Sequence, residues 1–466
     1  MPDTPLHFQT ITEVARQIQA KQLSPVELTR TILDRIQNLD GQLKSYATVM
    51  ADQAMASAQA AEAEIAAGRY LGGLHGVPIA VKDLCFTKGV ATMGGARVLR
   101  DHVPDFDGTV VQKLNAAGAV ILGKLNLTEG AMAGYNPEFQ IPVNPWNPGL
   151  WSGASSSGSG VSTAAGLCYG SLGSDTGGSI RFPSAACGIV GIKPTWGRVS
   201  RYGVLALAES MDHVGPMTRS AADAGIMLQA IAGRDTNDDT SLAAPVPNML
   251  EGLGQGVNGI RIGVDERYIG HDVDPQTAAA VMAGARVLEG LGAQIVTVQM
   301  PEIDPFSKAW GVLCAAEAAA AHRDTFPSRS EEYGPWFRGW LELGNKYTAA
   351  EYASANHQRL ACNAIVSRVF ADIDVLVCPT MTIPAFPVTP EELYGPMDEE
   401  EWTWGRFTIP FDFNGTPTIS LPCGQNDAGV PLSIQFVGKH LSEPLLVRIG
   451  DVFERATEWH HLRPSI

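Results

Sequence analysis

The chain has 466 residues, 45% hydrophobic and 18% charged, enough for a large core over two to three domain-sized units and too apolar for a disordered protein. A net charge of −16 repels phosphate backbones, so nucleic acid is excluded as a default partner. Seven cysteines without C-x-x-C spacing argue against a disulfide framework or a zinc site; with no apolar signal core in residues 1–9 and no membrane-length apolar run, they predict a reducing cytoplasm and no membrane partner.

Helices are predicted first. Ile11, Val14, Ala15 and Ile18 share one helical face. Ser24, Pro25 and Glu27 read as an N-cap, a first-turn proline and a capping-box glutamate, and Leu28, Ile32, Ile36 and Leu39 continue that helix. An alanine-rich segment, 51–67, ends at Gly68 as a C-terminal stop. Strand-like apolar runs follow at 77–81, 119–122, 260–264, 294–298, 374–378, 418–421 and 432–437, with helical patterns between several of them. Alternating strands and helices predict an α/β fold layered around one sheet. The Asp-, Gly- and Pro-rich stretch 233–258 reads as a surface excursion.

Two glycine-rich stretches carry the chemical signal. Residues 151–160 read Trp-Ser-Gly-Ala-Ser-Ser-Ser-Gly-Ser-Gly, the composition of a flexible linker. Trp146 and Trp151 before it, and the apolar segment 161–167 after it, instead place it inside a core. The second stretch, 173–181, ends Thr176-Gly177-Gly178-Ser179-Ile180-Arg181. It reads either as a tight turn or as a loop of backbone N–H donors with a serine at its end. Asp175 and Arg181 flank it, as an ion pair or as surface charges.

Other chemistries are absent from the pattern. No serine has G-x-S-x-G context, and no H-E-x-x-H occurs among ten histidines. Residues 118–124 mimic a P-loop, but Leu125 stands where Ser or Thr is needed, so a buried strand is the better reading. Gly158 and Gly160 lack the third glycine of a dinucleotide fingerprint. A serine nucleophile without an assigned histidine needs another base. Lys82, at the end of the apolar run 76–81, serves if burial lowers its pKa; the alternative is a lysine snorkelling at a strand end.

Taken together, 76–83, the serine-glycine stretch and 173–181 resemble the amidase signature family, and the likeness continues through 188–195, 212–218 and 415–422. The resemblance implies a single α/β/α domain with a large mixed β-sheet covered by helices, spanning 1–466: N-terminal helices over 1–70, the signature core over 71–230, a more variable substrate-side region over 231–400, and a return to the core over 401–466. It implies a Ser-cisSer-Lys triad of Ser179, Ser155 and Lys82, with Ser156 as the other candidate for the middle position. Backbone N–H groups of Thr176, Gly177, Gly178 and Ser179 would then hold the oxyanion, with Met132 near the scissile carbonyl. No cofactor or metal is implied.

Residues 191–195 and 197–203 also resemble the glutaminase subunit of tRNA-dependent amidotransferases within this family. The places of its glutamine-binding arginine and aspartate fall on Trp340 and Gly405. That exchange favours a small uncharged, aryl or acyl amide, with esters and carbamates as further substrates, and an aromatic mouth from Trp310, Trp336, Trp340, Trp402 and Trp404. The expected protein is a serine amidohydrolase acting without a second subunit. The sequence does not specify self-association, so a homodimer stays open. The competing readings are the glutaminase subunit itself and a non-catalytic nucleotide- or ligand-binding α/β protein.

Overall fold

A computed structural model describes residues 4–397 and 405–466. Its frame is one sheet of eleven strands: β1 (Tyr46–Val49), β2 (Pro78–Lys82), β3 (Val120–Leu125), β4 (Gly170–Asp175), β5 (Val190–Lys193), β6 (His213–Thr218), β7 (Arg261–Val264), β8 (Gln294–Thr297), β9 (Val375–Pro379), β10 (Thr418–Gln425) and β11 (Pro431–Gly438). Their order is β1-β3-β2-β4-β6-β5-β10-β11-β9-β7-β8. Strands β3, β2 and β4 run parallel, as do β9, β7 and β8, while β4 to β6 and β5 through β10 and β11 to β9 pair antiparallel. One continuous mixed sheet, covered by helices, replaces the two to three units that length alone suggests. No helix among the described residues is long and apolar enough to cross a membrane.

All seven expected strands form, within a few residues of their predicted bounds. The expected helical face Ile11, Val14, Ala15 and Ile18 is buried. Ser24 caps the helix Pro25–Leu43 through the N–H groups of Val26 and Glu27. Its hydroxyl bonds Glu62, and the reciprocal capping box expected of Glu27 forms instead between Thr10 and Glu13. The stretch 233–258 is turns and bends, as expected of an excursion, yet it buries Met249 and Val257.

The serine-glycine stretch is not a linker. Residues Ser157–Ala164 form a helix whose every residue is buried. Small residues are required there because backbone approaches backbone: a Cβ on Gly158 would stand 2.5 Å from the carbonyl oxygens of Asn126 and Ser45. The hydroxyls are satisfied internally; Ser159 Oγ donates to the Leu172 carbonyl at 2.9 Å, and Tyr135 Oη to Ser157 Oγ at 2.8 Å. This helix and β2 bring the serine stretch against Lys82.

Candidate active site

Lys82 is the last residue of β2 and is fully buried. Its Nζ meets three hydroxyls: Ser155 Oγ at 2.6 Å, Ser174 Oγ at 2.8 Å and Ser156 Oγ at 2.9 Å. No carboxylate lies within ion-pair distance of it among the described residues. Burial lowers the amine from 10.5 to about 7, against the weaker pull of Cys85, Asp175 and Asp212. The snorkelling alternative is excluded, because the side chain has no route to water.

The peptide bond between Ala154 and Ser155 is cis. Ser155 and Ser156 differ in what their hydroxyls can still do. Ser156 Oγ donates to the Ser174 carbonyl (3.2 Å) and accepts from the Ser174 N–H (3.2 Å) as well as from Lys82. Its proton is therefore committed. Ser155 Oγ meets only Lys82 among the described residues, so it keeps capacity for a second partner.

Strand β4 ends at Asp175, so the predicted glycine loop is shorter than 173–181 and runs from Thr176 to Ile180. The Asp175 carboxylate organises it. Oδ1 accepts from Gly178 N–H (2.7 Å) and Arg181 Nη2 (2.9 Å); Oδ2 accepts from Ile180 N–H (3.0 Å), Arg181 N–H (3.3 Å) and Arg181 Nε (3.0 Å). The flanking charges are thus a buried ion pair, not surface groups. Arg181 also donates to Asp412 Oδ2 (2.6 Å), the Thr408 carbonyl (3.1 Å) and Gln435 Oε1 (3.2 Å), which occupies every guanidinium N–H. These contacts hold the Asp175 carboxyl well below the usual range, against its burial.

Two loop carbonyls are held by side chains from elsewhere in the chain. Trp310 Nε1 donates to the Thr176 carbonyl (2.8 Å) and Thr408 Oγ1 to that of Gly177 (2.5 Å). The N–H groups of Thr176, Gly177 and Ser179 carry no protein acceptor among the described residues. Gly178 departs from the expectation. Its N–H is taken by Asp175, so it leaves the set of free donors. What Gly178 supplies is shape: its φ of +137° suits glycine, and a Cβ would strike the Phe182 ring at 2.3 Å.

Ser179 is partly exposed and opens into a cavity of about 680 Å³ shared with Thr176, Gly177 and Met132. The Ser156 N–H donates to the Ser179 carbonyl (3.3 Å) and ties the two serine loops together. Trp151, Phe182, Trp310, Trp336, Met381 and Phe386 form apolar walls, and Glu392 is the one charged residue among the described lining. Of the tryptophans expected at the mouth, Trp310 and Trp336 line this cavity. Trp340 is fully buried 5.9 Å behind Trp336 and does not reach it. Gly405 packs on Ile409 and likewise lies outside the lining. Trp402 and Trp404 fall outside the described residues. A larger cavity, about 870 Å³, borders Gly130 and Ala131 but holds none of the serine–lysine cluster, so chemistry and not volume places the site.

Sequence reasoning missed Ser174, Asp412, Thr408 and Gln435. Ser174 lies on β4, the neighbour of the strand that carries Lys82, and meets its amine at 2.8 Å, a placement only the folded sheet reveals. The others come from more than 220 residues away in sequence, with no local signal.

Comparison with known proteins places the chain in a family. The Amidase family model matches residues 27–447. The "Putative amidase AmiD" of Mycobacterium tuberculosis (strain ATCC 25618 / H37Rv) is 48% identical over 458 residues, covering 98% of this chain and 96% of that protein. A glutamyl-tRNA(Gln) amidotransferase subunit of Geobacter sp. (strain M21) is 40% identical, covering 97% and 98%. A bacterial aryl acylamidase of the amidase signature enzymes superposes with a TM-score of 0.88 at 25% identity, covering 98% and 99%.

Proposed function

We propose that this chain, which belongs to the amidase family and is a hydrolase of amide bonds, works through a Ser179–Ser155–Lys82 relay on uncharged amides with an aromatic or apolar acyl group. One observation carries the reading: a buried lysine amine held by three hydroxyls and, among the described residues, no carboxylate, beside a serine that opens into an apolar cavity.

A neutral amine has two N–H donors and one lone pair. Ser156, its own proton committed, accepts one N–H, and Ser174 accepts the other. The lone pair is left for the Ser155 proton. Ser155 in turn takes the proton of Ser179 as Ser179 Oγ bonds to the substrate carbonyl carbon. The N–H groups of Thr176, Gly177 and Ser179 receive the oxyanion; losing one such donor costs roughly 3–4 kcal/mol in the transition state. Collapse breaks the C–N bond, and the proton on Lys82 returns through Ser155 to the leaving amine. Water then attacks the Ser179 ester along the same path. Met132 contributes a cavity wall, its carbonyl being held by Thr128 Oγ1 at 3.0 Å.

The 40% likeness to an amidotransferase subunit favours one second reading, a glutaminase. The cavity weighs against it, since its described lining offers no cation for a glutamine carboxylate. A screen over aryl amides, acyl amides, matching esters and carbamates, and glutamine decides the matter. Purified protein, without ATP, tRNA or a second subunit, should cleave aromatic acyl amides roughly 100-fold faster than glutamine. Ser179→Ala should abolish turnover and fluorophosphonate labelling with an unchanged circular dichroism spectrum. Preference for glutamine, or labelling at another serine, would overturn the reading.

A further inference from the structure

We infer that Glu129 is a positioning residue that fixes the aromatic wall of the Ser179 cavity and so sets which acyl groups fit, an inference that rests on reading that cavity as the acyl site. Glu129 is buried and opens a short 3-10 turn. No step of the relay uses it. Its Oε1 accepts from Asn136 Nδ2 (2.8 Å), and its Oε2 accepts from the Gly334 N–H (2.8 Å). Gly334 is the N-cap of the ten-residue helix Pro335–Gly344 and supplies no side-chain cap of its own. Glu129 thus caps that helix from another part of the chain, where a carboxylate also suits the positive end of the helix dipole. Asn136 Nδ2 adds a second tie, to the Glu332 carbonyl at 2.9 Å.

The joined parts are the two faces of the cavity wall. The helix carries Trp336; the loop carries Met132 and Ala133. Within the loop, Glu129 N–H donates to the Gly134 carbonyl (3.0 Å) and its own carbonyl accepts from Met132 N–H (3.2 Å). The fit has no slack: a Cβ on Gly134 would come within 2.5 Å of Trp336, and one on Gly130 within 2.1 Å of Phe337. The loop is also a partition, with Gly130 and Ala131 bordering the 870 Å³ cavity and Met132 and Ala133 the 680 Å³ one. The Glu129 carboxylate bonds neither Lys82, Ser155 nor Ser179, and the tie of its turn to Ser155 runs through the backbone of Thr128, whose N–H donates to the Ser155 carbonyl at 3.3 Å, so releasing the carboxylate loosens Trp336 against Met132 and leaves that tie in place.

Glu129→Gln tests this at constant shape. Glutamine keeps one acceptor and turns an NH2 group toward one of the two N–H donors. The readouts are labelling by a small alkyl fluorophosphonate and binding of an aromatic carboxamide by tryptophan fluorescence, in alkaline buffer. Glu129→Gln should weaken carboxamide binding by roughly tenfold, the scale of one lost charge-assisted bond, while small-probe labelling stays within about twofold of wild type. Asn136→Ala, which removes the partner and leaves Glu129 in place, should move binding the same way and keeps the test open if the glutamine variant folds poorly. Equal loss on both probes, or loss on neither, would overturn the positioning role. A wild type that fails to label would overturn the reading of the site, and this inference with it.

Discussion

Two buried basic side chains stand near the Ser179 loop, and their surroundings differ in one respect. Lys82 and Arg181 are both fully buried. Lys82 touches hydroxyls only, and its amine is drawn down to about 7. Arg181 touches Asp175 and Asp412, and its guanidinium is held charged, its pKa raised despite burial. Desolvation opposes the charged form of both. What separates them is the carboxylate, present for one and withheld from the other. Lys193 follows the same rule. It is buried, contacts the Thr416 and Pro194 carbonyls and His213 but no carboxylate among the described residues, and falls to about 8, with burial the largest cause. A lysine that gives up its proton easily is thus made by omission, and a rigid support by pairing.

The sharpest way to break this contrast is to exchange the cation types. Lys82→Arg keeps a positive charge at the end of β2 but cannot deprotonate. It should lose acylation as completely as Lys82→Ala, roughly 10²–10⁴-fold. In the proposed relay the neutral amine is the active form, so acylation should rise as pH climbs through about 7 and level off above it. Single-turnover acylation of the three proteins checks both statements. An arginine variant with near-normal rates would mean that Lys82 serves as a charge, and the contrast with Arg181 would vanish.

The contrast was half visible in the sequence, for a physical reason. Lys82 ends a continuous apolar run, and such runs announce buried strands; β2, β3, β7 and β9 to β11 were legible on that basis, whereas β8, read the same way, is a strand with no buried residue. Strands β4 and β6 were not. Gly170–Asp175 and His213–Thr218 are rich in glycine, serine and proline, which read as turns. They are strands because the sheet needs close approach there: a Cβ on Gly215 would stand 2.1 Å from the Ile192 carbonyl oxygen. Asp175 and Arg181 were legible as a local pair, whereas Asp412 lies 231 residues from Arg181. The cavity walls show the same limit. Trp310 and Trp336 were named with Trp340, which packs behind them, and Phe182, Met381 and Phe386 carried no signal that set them apart from core residues.

A smaller effect is expected from breaking the paired side. Arg181→Met strips Asp175 and Asp412 of their shared partner while both stay buried. Leaving the buried Asp175 carboxylate uncompensated costs roughly 3–5 kcal/mol, to be read as a shift of the urea midpoint. Adding Asp412→Asn should recover little of the loss, because burial and the neighbouring Asp175 already push the Asp412 carboxyl well up, and the stranded charge is that of Asp175. If the single variant is as stable as wild type, the pair is not what holds the loop, and Asp175's bonds to Gly178 and Ile180 suffice alone.

The smallest effect is also the most direct measure of the unpaired side. The unfolded chain keeps a proton on Lys82 up to its ordinary 10.5, whereas the folded chain releases it at about 7. Between those values the unfolded state binds more protons, so the Lys82 contribution to wild-type stability must grow as pH rises. Below about 7 both states hold the proton, and the burial cost is felt in full. Lys82→Met removes the titration and keeps a chain of similar length. Wild-type stability minus that of Lys82→Met should therefore increase by about 1.4 kcal/mol for each pH unit above neutrality. At neutral pH the methionine variant should be the more stable protein, less whatever is lost by leaving Ser155, Ser156 and Ser174 without their shared partner. Urea unfolding of both proteins across the neutral-to-alkaline range measures the difference directly and cancels the groups they share. Parallel curves would mean that Lys82 stays protonated in the fold, that three hydroxyls compensate a buried ammonium as well as a carboxylate does, and that the base of the relay must be sought elsewhere.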